Sequence, residues 1–193
     1  MIKLGITGSI GSGKTLITNI IKKIGIPTFC ADEDVKNIYL KNSKFKKKLF
    51  QLEPALKNSK SLKKDTAKIA LNKKKLLKKI ENIIHPIVRN NMKKFIKKNK
   101  TKKMIILDIP LLIENKMHKN MDKILLLKCD KNIRKKRFFN SGKNIKLFNL
   151  MERKQLKFLY KKNYADYIIN NNGKIENTKK KVVELINKIR KNA

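Results

Sequence analysis

The eight residues Gly8-Ser9-Ile10-Gly11-Ser12-Gly13-Lys14-Thr15 constrain this chain more than any other stretch. They match G-x-x-x-x-G-K-[S/T], follow the apolar run Leu4 to Thr7, and open a helical stripe of Leu16, Ile17, Ile20, Ile21 and Ile24 that Gly25 ends. Glycines at such a turn let the main chain wrap an anion, so that successive N–H groups and the helix N-terminus point at it. The pattern predicts a nucleotide cradle built from Gly8, Gly11, Ser12, Gly13, Lys14 and Thr15. Lys14 would hold the β- and γ-phosphates and Thr15 would offer its hydroxyl to Mg²⁺. Tight packing alone would explain one glycine turn, but not eight matching positions in this context.

Further apolar runs at Pro27 to Cys30, Met104 to Asp108, Ile124 to Leu127 and Tyr167 to Ile169 read as buried strands separated by helical patterns, which predicts α/β architecture with a parallel sheet. From Asp32 to about Lys98 the spacing is helical, with Leu76, Leu77, Ile80, Ile83, Ile84, Ile87 and Val88 on one stripe. A mobile lid is expected to begin near Phe138, and Val182, Leu185, Ile186 and Ile189 predict a last helix packed on the sheet. At 193 residues one folding unit is expected.

The formal net charge of +37 raises the possibility of a polyanionic partner. Arginine, however, is confined to Arg89, Arg134, Arg137, Arg153 and Arg190, and lysine, asparagine and isoleucine dominate, as a biased base composition would produce. The lysine runs 46–48, 73–75 and 179–181 contain no aromatic residue on which a base could stack. General surface drift is therefore the favoured explanation, and no specific nucleic-acid partner is expected. Cys30 and Cys129 are too far apart for a CxxC, so neither a disulfide framework nor a zinc site is expected. With no leader pattern before the first strand and no apolar run long enough to cross a bilayer, the expected location is the cytoplasm.

Acids at strand ends are the candidates for chemistry. Asp108 closes Ile105-Ile106-Leu107 and is the expected metal ligand beside Thr15, with Glu114 as its competitor and simple capping as the alternative. Asp32 follows Phe29-Cys30-Ala31 and would either accept the proton of an acceptor hydroxyl, cap the helix that begins at Glu33, or do both. No Asn-Lys-x-Asp follows a strand, which disfavours a guanine-nucleotide switch and favours a small-molecule kinase.

Beyond the loop, Cys30-Ala31-Asp32, His85-Pro86, Asp108-Ile109-Pro110-Leu111-Leu112-Ile113-Glu114, Gln155, and Ala165-Asp166 through Asn171-Asn172-Gly173 occur in this order. Together with the loop they resemble the dephospho-CoA kinase family over nearly the whole chain. The resemblance implies a three-layer α/β/α P-loop kinase fold with a parallel five-stranded sheet. The implied core spans about 1–31, 101–134 and 163–193, the helical substrate-binding subregion about 32–100 and the lid about 135–162, all within one domain. It further implies ATP-dependent phosphorylation of the ribose 3′-hydroxyl of dephospho-CoA, the last step of coenzyme A synthesis, with Mg²⁺.

By the same resemblance Lys14, Asp32 and Arg137 are catalytic, and Leu16, Asn171 and Gly173 join the ATP site. Asp32, His85, Pro110, Leu111 and Leu112 contact the acceptor. For Arg137 there is a separate chemical argument, since a guanidinium grips phosphoryl oxygens bidentately where an ammonium cannot. The alternative is a solvated helix residue, a description expected to suit Arg134 better. His85 has the pKa range of a proton carrier, but the His-Pro pair is expected mainly to fix a bend. Two positions depart from the family: Cys30 replaces an acid before Asp32, and Ser141 replaces a basic lid residue for which Lys143 is the expected substitute. Rival readings are a kinase for another small hydroxyl acceptor and a basic nucleic-acid-dependent ATPase. A monomer is the favoured state.

Overall fold

The computed structural model describes residues 1–142 and 144–191, so Lys143 lies outside the described residues. The five expected strands are all present: β1 (Ile2–Gly8), β2 (Thr28–Cys30), β3 (Met104–Asp108), β4 (Lys123–Lys128) and β5 (Tyr167–Asn170). They form one parallel sheet in the order β2-β3-β1-β4-β5. The register sets Ile6 opposite Asp108 and Gly8 opposite Leu127, so the carboxyl ends of β1, β3 and β4 share one edge. Open α/β sheets bind their ligands at that edge.

Helix α1 (Lys14–Lys23) returns the chain from β1, and α9 (Ile175–Lys191) packs beside it. Ile17 and Ile21 of α1 and Val182, Ile186 and Ile189 of α9 bury against Leu4, Ile6, Leu125 and Leu127, each burial worth about 1.5–3 kcal/mol before entropy is counted. All five residues of β3 are buried, as a strand covered on both faces requires. Gly25 ends α1 in the left-handed region at φ 80°, and the N–H groups of Gly25 and Ile26 donate back to the carbonyls of Lys22 and Ile21.

The chain divides into two compact units: residues 1–29 with the described part of 99–193, and residues 30–98. The second unit contains α2 (Ala31–Lys41), α3 (Ser43–Leu52), α4 (Leu62–Asn72) and α5 (Lys74–Lys98). It has its own core of Ile38, Tyr39, Phe45, Leu49, Leu56, Leu76, Ile80 and Ile84. Pro86 of the His-Pro pair, which was expected to fix a bend, lies inside α5. It has no N–H for the carbonyl of Asn82, yet the helix runs on to Lys98.

The expected lid segment comprises α6 (Lys131–Asn140), α7 (Ile145–Arg153) and α8 (Phe158–Lys162), which belong to the same compact unit as the sheet. Phe138, where a mobile segment was expected to begin, is buried edge-to-face against Phe148 with ring centroids 5.4 Å apart. Among the described residues no helix is long and apolar enough to cross a membrane, and neither Cys30 nor Cys129 is in a disulfide.

Candidate active site

The loop from Gly8 to Gly13 joins β1 to α1 and closes on itself through Ser12 N–H to Ser9 O, 3.0 Å. Gly11 and Gly13 sit in the left-handed region at φ 74° and 96°. Neither has room for a side chain. A Cβ on Gly11 would lie 2.6 Å from the carbonyl oxygen of Arg134, and one on Gly13 would overlap the Asn171 amide nitrogen. The same point above Gly13 is 3.9 Å from Nη1 of Arg137. The cradle is therefore packed against α6 and the end of β5 as well as wound from glycine.

Lys14 Nζ donates to the carbonyl of Gly8 at 2.7 Å, which keeps its ammonium folded over the loop. Thr15 is exposed in the first turn of α1, while Leu16 packs its side chain on the sheet core, leaving only its main chain for a ligand. Asn171 is 1 % exposed. Its amide donates to Ser12 O at 2.8 Å and accepts from Thr178 Oγ1 at 2.7 Å, so both ends are occupied by protein. Asn171 thus braces the loop from beneath. Gly173 lies exposed beyond it.

The expectation that Arg134 is a solvated helix residue is wrong. It is buried, with Nε donating to Cys129 O (3.1 Å), Nη1 to Ile10 O (3.1 Å) and Nη2 to Glu152 Oε1 (2.7 Å). A guanidinium can serve three acceptors in different directions from one plane, which explains an arginine here in a lysine-rich chain. Arg137, one turn later, is half-buried and donates from Nη1 to Cys129 Sγ at 3.5 Å. Burial pushes the Cys129 thiol up, against the opposing pull of the Arg137 and Arg134 charges. Ser141 spends its hydroxyl on capping α6, donating to Phe138 O at 2.7 Å, so it does not replace a cation.

Asp108 ends β3 almost fully buried, and Thr18 Oγ1 donates to its Oδ2 at 2.9 Å. Pro110 and Leu111 are half-buried just beyond, Leu111 with an unfavourable φ of 54°. Leu112 departs from its expected contact with acceptor: its side chain is fully buried, close to Gly5 under β1. Glu114 is no competitor for the metal, because it pairs with the fully buried Lys161 at 2.7 Å and accepts Leu156 N–H at 3.0 Å. Burial raises its carboxyl, but the Lys161 and Leu156 hydrogen bonds and the Lys161 charge outweigh this and hold it below the usual range.

Gln155 Oε1 accepts the N–H of Ile10 at 2.8 Å. A cleft of about 840 Å³ opens beside the loop, lined by Ser9, Asp130, Arg134, Glu152 and Gln155 among others. Asp166 has a structural task, accepting from Ile124 N–H (2.8 Å) and Lys123 Nζ (2.9 Å) where β4 meets β5. The roles of Thr178 and Lys161 were missed in the sequence, since both contacts join segments with no local signal.

In the helical unit, Asp32 is exposed in the first turn of α2. The helix starts at Ala31 with Cys30 as its cap residue, so Asp32 lies inside the first turn and the capping alternative is overturned. Asp34 accepts both hydrogen bonds from Asn91 at 3.1 Å, tying α2 to α5; burial lifts its carboxyl, partly offset by that amide. His85 is exposed on α5.

Comparison with known proteins adds to this geometry. The dephospho-CoA kinase family model matches residues 2–177. A dephospho-CoA kinase of Bartonella quintana is 34% identical over 192 residues, covering 98% of each chain. Among solved structures, a Thermus thermophilus protein superposes with TM-score 0.81 at 23% identity over 97% of each chain. A dephospho-CoA kinase from Campylobacter jejuni gives 0.71 at 21% over 98% of each.

Proposed function

The chain belongs to the dephospho-CoA kinase family, and from that premise we propose that it transfers the γ-phosphoryl group of ATP to the ribose 3′-hydroxyl of dephospho-CoA, giving coenzyme A and ADP. The observation that carries this reading is the glycine cradle with the Arg137 guanidinium beside Gly13 and the Lys14 ammonium across its mouth. Phosphoryl transfer needs little covalent help from a protein; it needs positioned donors and cations where negative charge spreads over the moving group. Lys14 grips the β- and γ-phosphates, the main-chain N–H groups of residues 11–16 hold the rest, and Arg137 neutralises the equatorial oxygens.

Asp32 accepts the proton of the acceptor hydroxyl, a task supported by the exposure of its carboxyl group in the first turn of α2. Pro110 and Leu111 supply apolar contacts to the acceptor, and His85 belongs to its outer surroundings. Asn171 serves ATP indirectly by holding the Ser12 carbonyl. The Thr15 hydroxyl and the nearly buried Asp108 carboxylate are hard oxygen donors of the kind a divalent cation, Mg²⁺ in particular, prefers. Such an ion, held by Thr15 and Asp108, would supply neutralisation of phosphate charge. The protein works in the cytoplasm as a monomer without a specific nucleic-acid partner.

ADP release is the test, measured with Mg²⁺ and ATP against dephospho-CoA, adenosine, AMP and shikimate. Turnover with dephospho-CoA alone supports the reading. Preference for another acceptor overturns the substrate, and hydrolysis stimulated only by DNA overturns the kinase.

A further inference from the structure

One residue of the phosphate loop, Ile10, has both its main-chain N–H and its carbonyl held from outside the loop. The N–H of Ile10 is taken by Gln155 Oε1 at 2.8 Å and its carbonyl by Arg134 Nη1 at 3.1 Å. The two holders are linked through Glu152: Arg134 also donates to Glu152 Oε1 at 2.7 Å, and the Gln155 N–H closes a turn on Glu152 O at 3.0 Å. The segment 152–156 is therefore seated on α6 at its first residue. At its last residue it is seated on Glu114, whose Oε1 accepts Leu156 N–H at 3.0 Å.

Glu114 is itself fixed by Lys161, at 2.7 Å, and the lysine side chain is 1 % exposed. A surface chain so rich in lysine has no shortage of exposed ammonium groups, and burying this one is costly unless the pair does something a solvated pair cannot. What it does geometrically is clear. It ties α8 and the 152–156 segment to the turn that follows β3, and β3 lies beside the strand that feeds the phosphate loop.

We infer that Glu114 and Lys161 are positioning residues for nucleotide binding: their buried ion pair holds the segment that presents the Gln155 amide to Ile10, and so sets the shape of the phosphate loop. The inference rests on the kinase reading above only for the identity of the phosphate ligand. A clamp on the main chain of the loop acts equally on bound ATP and on the transition state. Its loss therefore raises KM for ATP and leaves kcat nearly unchanged.

The test uses the full chain and compares Gln155→Ala, Glu114→Ala, Glu114→Gln and the double variant Glu114→Ala/Gln155→Ala. Affinity for ADP by calorimetry, KM and kcat, and the amide NMR position of Ile10 are recorded. A lost neutral hydrogen bond corresponds to roughly a fivefold to tenfold weaker ADP affinity and higher KM for ATP. That loss is expected for Gln155→Ala and Glu114→Ala, with kcat within about twofold and a displaced Ile10 resonance. Glu114→Gln keeps an acceptor for Leu156 N–H and is expected to retain most of the affinity. The double variant is expected to be no worse than the weaker single one, as for residues acting through one contact.

Should Glu114→Ala fail to fold, Lys161→Met replaces the ammonium by an apolar chain of similar reach and takes its place in the comparison. The inference is overturned if Glu114→Ala or Lys161→Met melts earlier but keeps the Ile10 resonance and ADP affinity, or if the losses in the double variant Glu114→Ala/Gln155→Ala add in full. ADP affinity does not involve the acceptor, so failure of the dephospho-CoA assignment would leave these outcomes intact.

Discussion

Placing alanine at Gly13 should disrupt the cradle through two separate effects that can be told apart. Gly13 sits at φ 96°, where an L side chain costs about 1–2 kcal/mol. The new methyl would also overlap the Asn171 amide nitrogen and push it from Ser12 O, 2.8 Å away, and through it disturb the 2.7 Å bond from Thr178. All three groups are buried, so losing one of these bonds costs about 1–3 kcal/mol. The sum is about 3 kcal/mol, or a fall in Tm of roughly 6–12 °C for a chain of this size. The discriminating measurement is a cycle of Gly13→Ala in the wild-type and Asn171→Ala backgrounds, followed by urea unfolding. In the Asn171→Ala background the overlap is gone, and only the backbone cost of about 1–2 kcal/mol should remain. An equal cost in both backgrounds would show that Asn171 does not brace the loop.

Three further outcomes follow from the same geometry. Arg134→Lys keeps the charge but loses the fork that reaches Ile10 O, Cys129 O and Glu152, and should cost about 2–3 kcal/mol in chemical unfolding; a neutral result would return Arg134 to the solvated surface. Glu114 has its carboxyl held below the ordinary range, so its contribution to stability is present above the unfolded value near about 4.3 and is lost as pH falls through the lower folded value. Wild-type protein should therefore lose stability faster than Glu114→Gln below about pH 4.5 in parallel acid titrations, and equal slopes would contradict the pairing with Lys161. Arg137→Lys should lower kcat by about 10² or more with ADP affinity changed only a few-fold, because a point charge cannot serve two equatorial oxygens; unchanged kcat in stopped-flow turnover would remove Arg137 from the chemistry.

The sheet and the loop were legible because each is a local pattern: five apolar runs gave the five strands, and one eight-residue motif located the cradle. Positions that depend on distant partners were not. Arg134 and Arg137 lie one turn apart in the same basic stretch, and only the fold shows that the first is buried against Ile10 and Glu152 while the second reaches Gly13. Glu114 looked like a second metal acid because it follows Asp108 in the same motif, but the turn aims it away from that role and into a pair with Lys161. Leu112 was read as a ligand contact for a similar reason, since a motif gives order along the chain but not the side of the sheet on which a residue falls. The cap residue of α2 is one more such case, because the helix begins two positions earlier than the acidic run suggested.

The central claim is that this chain phosphorylates a ribose 3′-hydroxyl, and regiochemistry tests it most directly. Purified protein would be incubated with Mg²⁺, ATP and either dephospho-CoA or its 3′-deoxy analogue, and the products read by mass spectrometry and phosphorus NMR. The account requires one new phosphomonoester on the 3′ position of dephospho-CoA, stoichiometric with ADP, and no product from the deoxy analogue. Phosphate appearing at any other position, or equal turnover of the deoxy analogue, would contradict it.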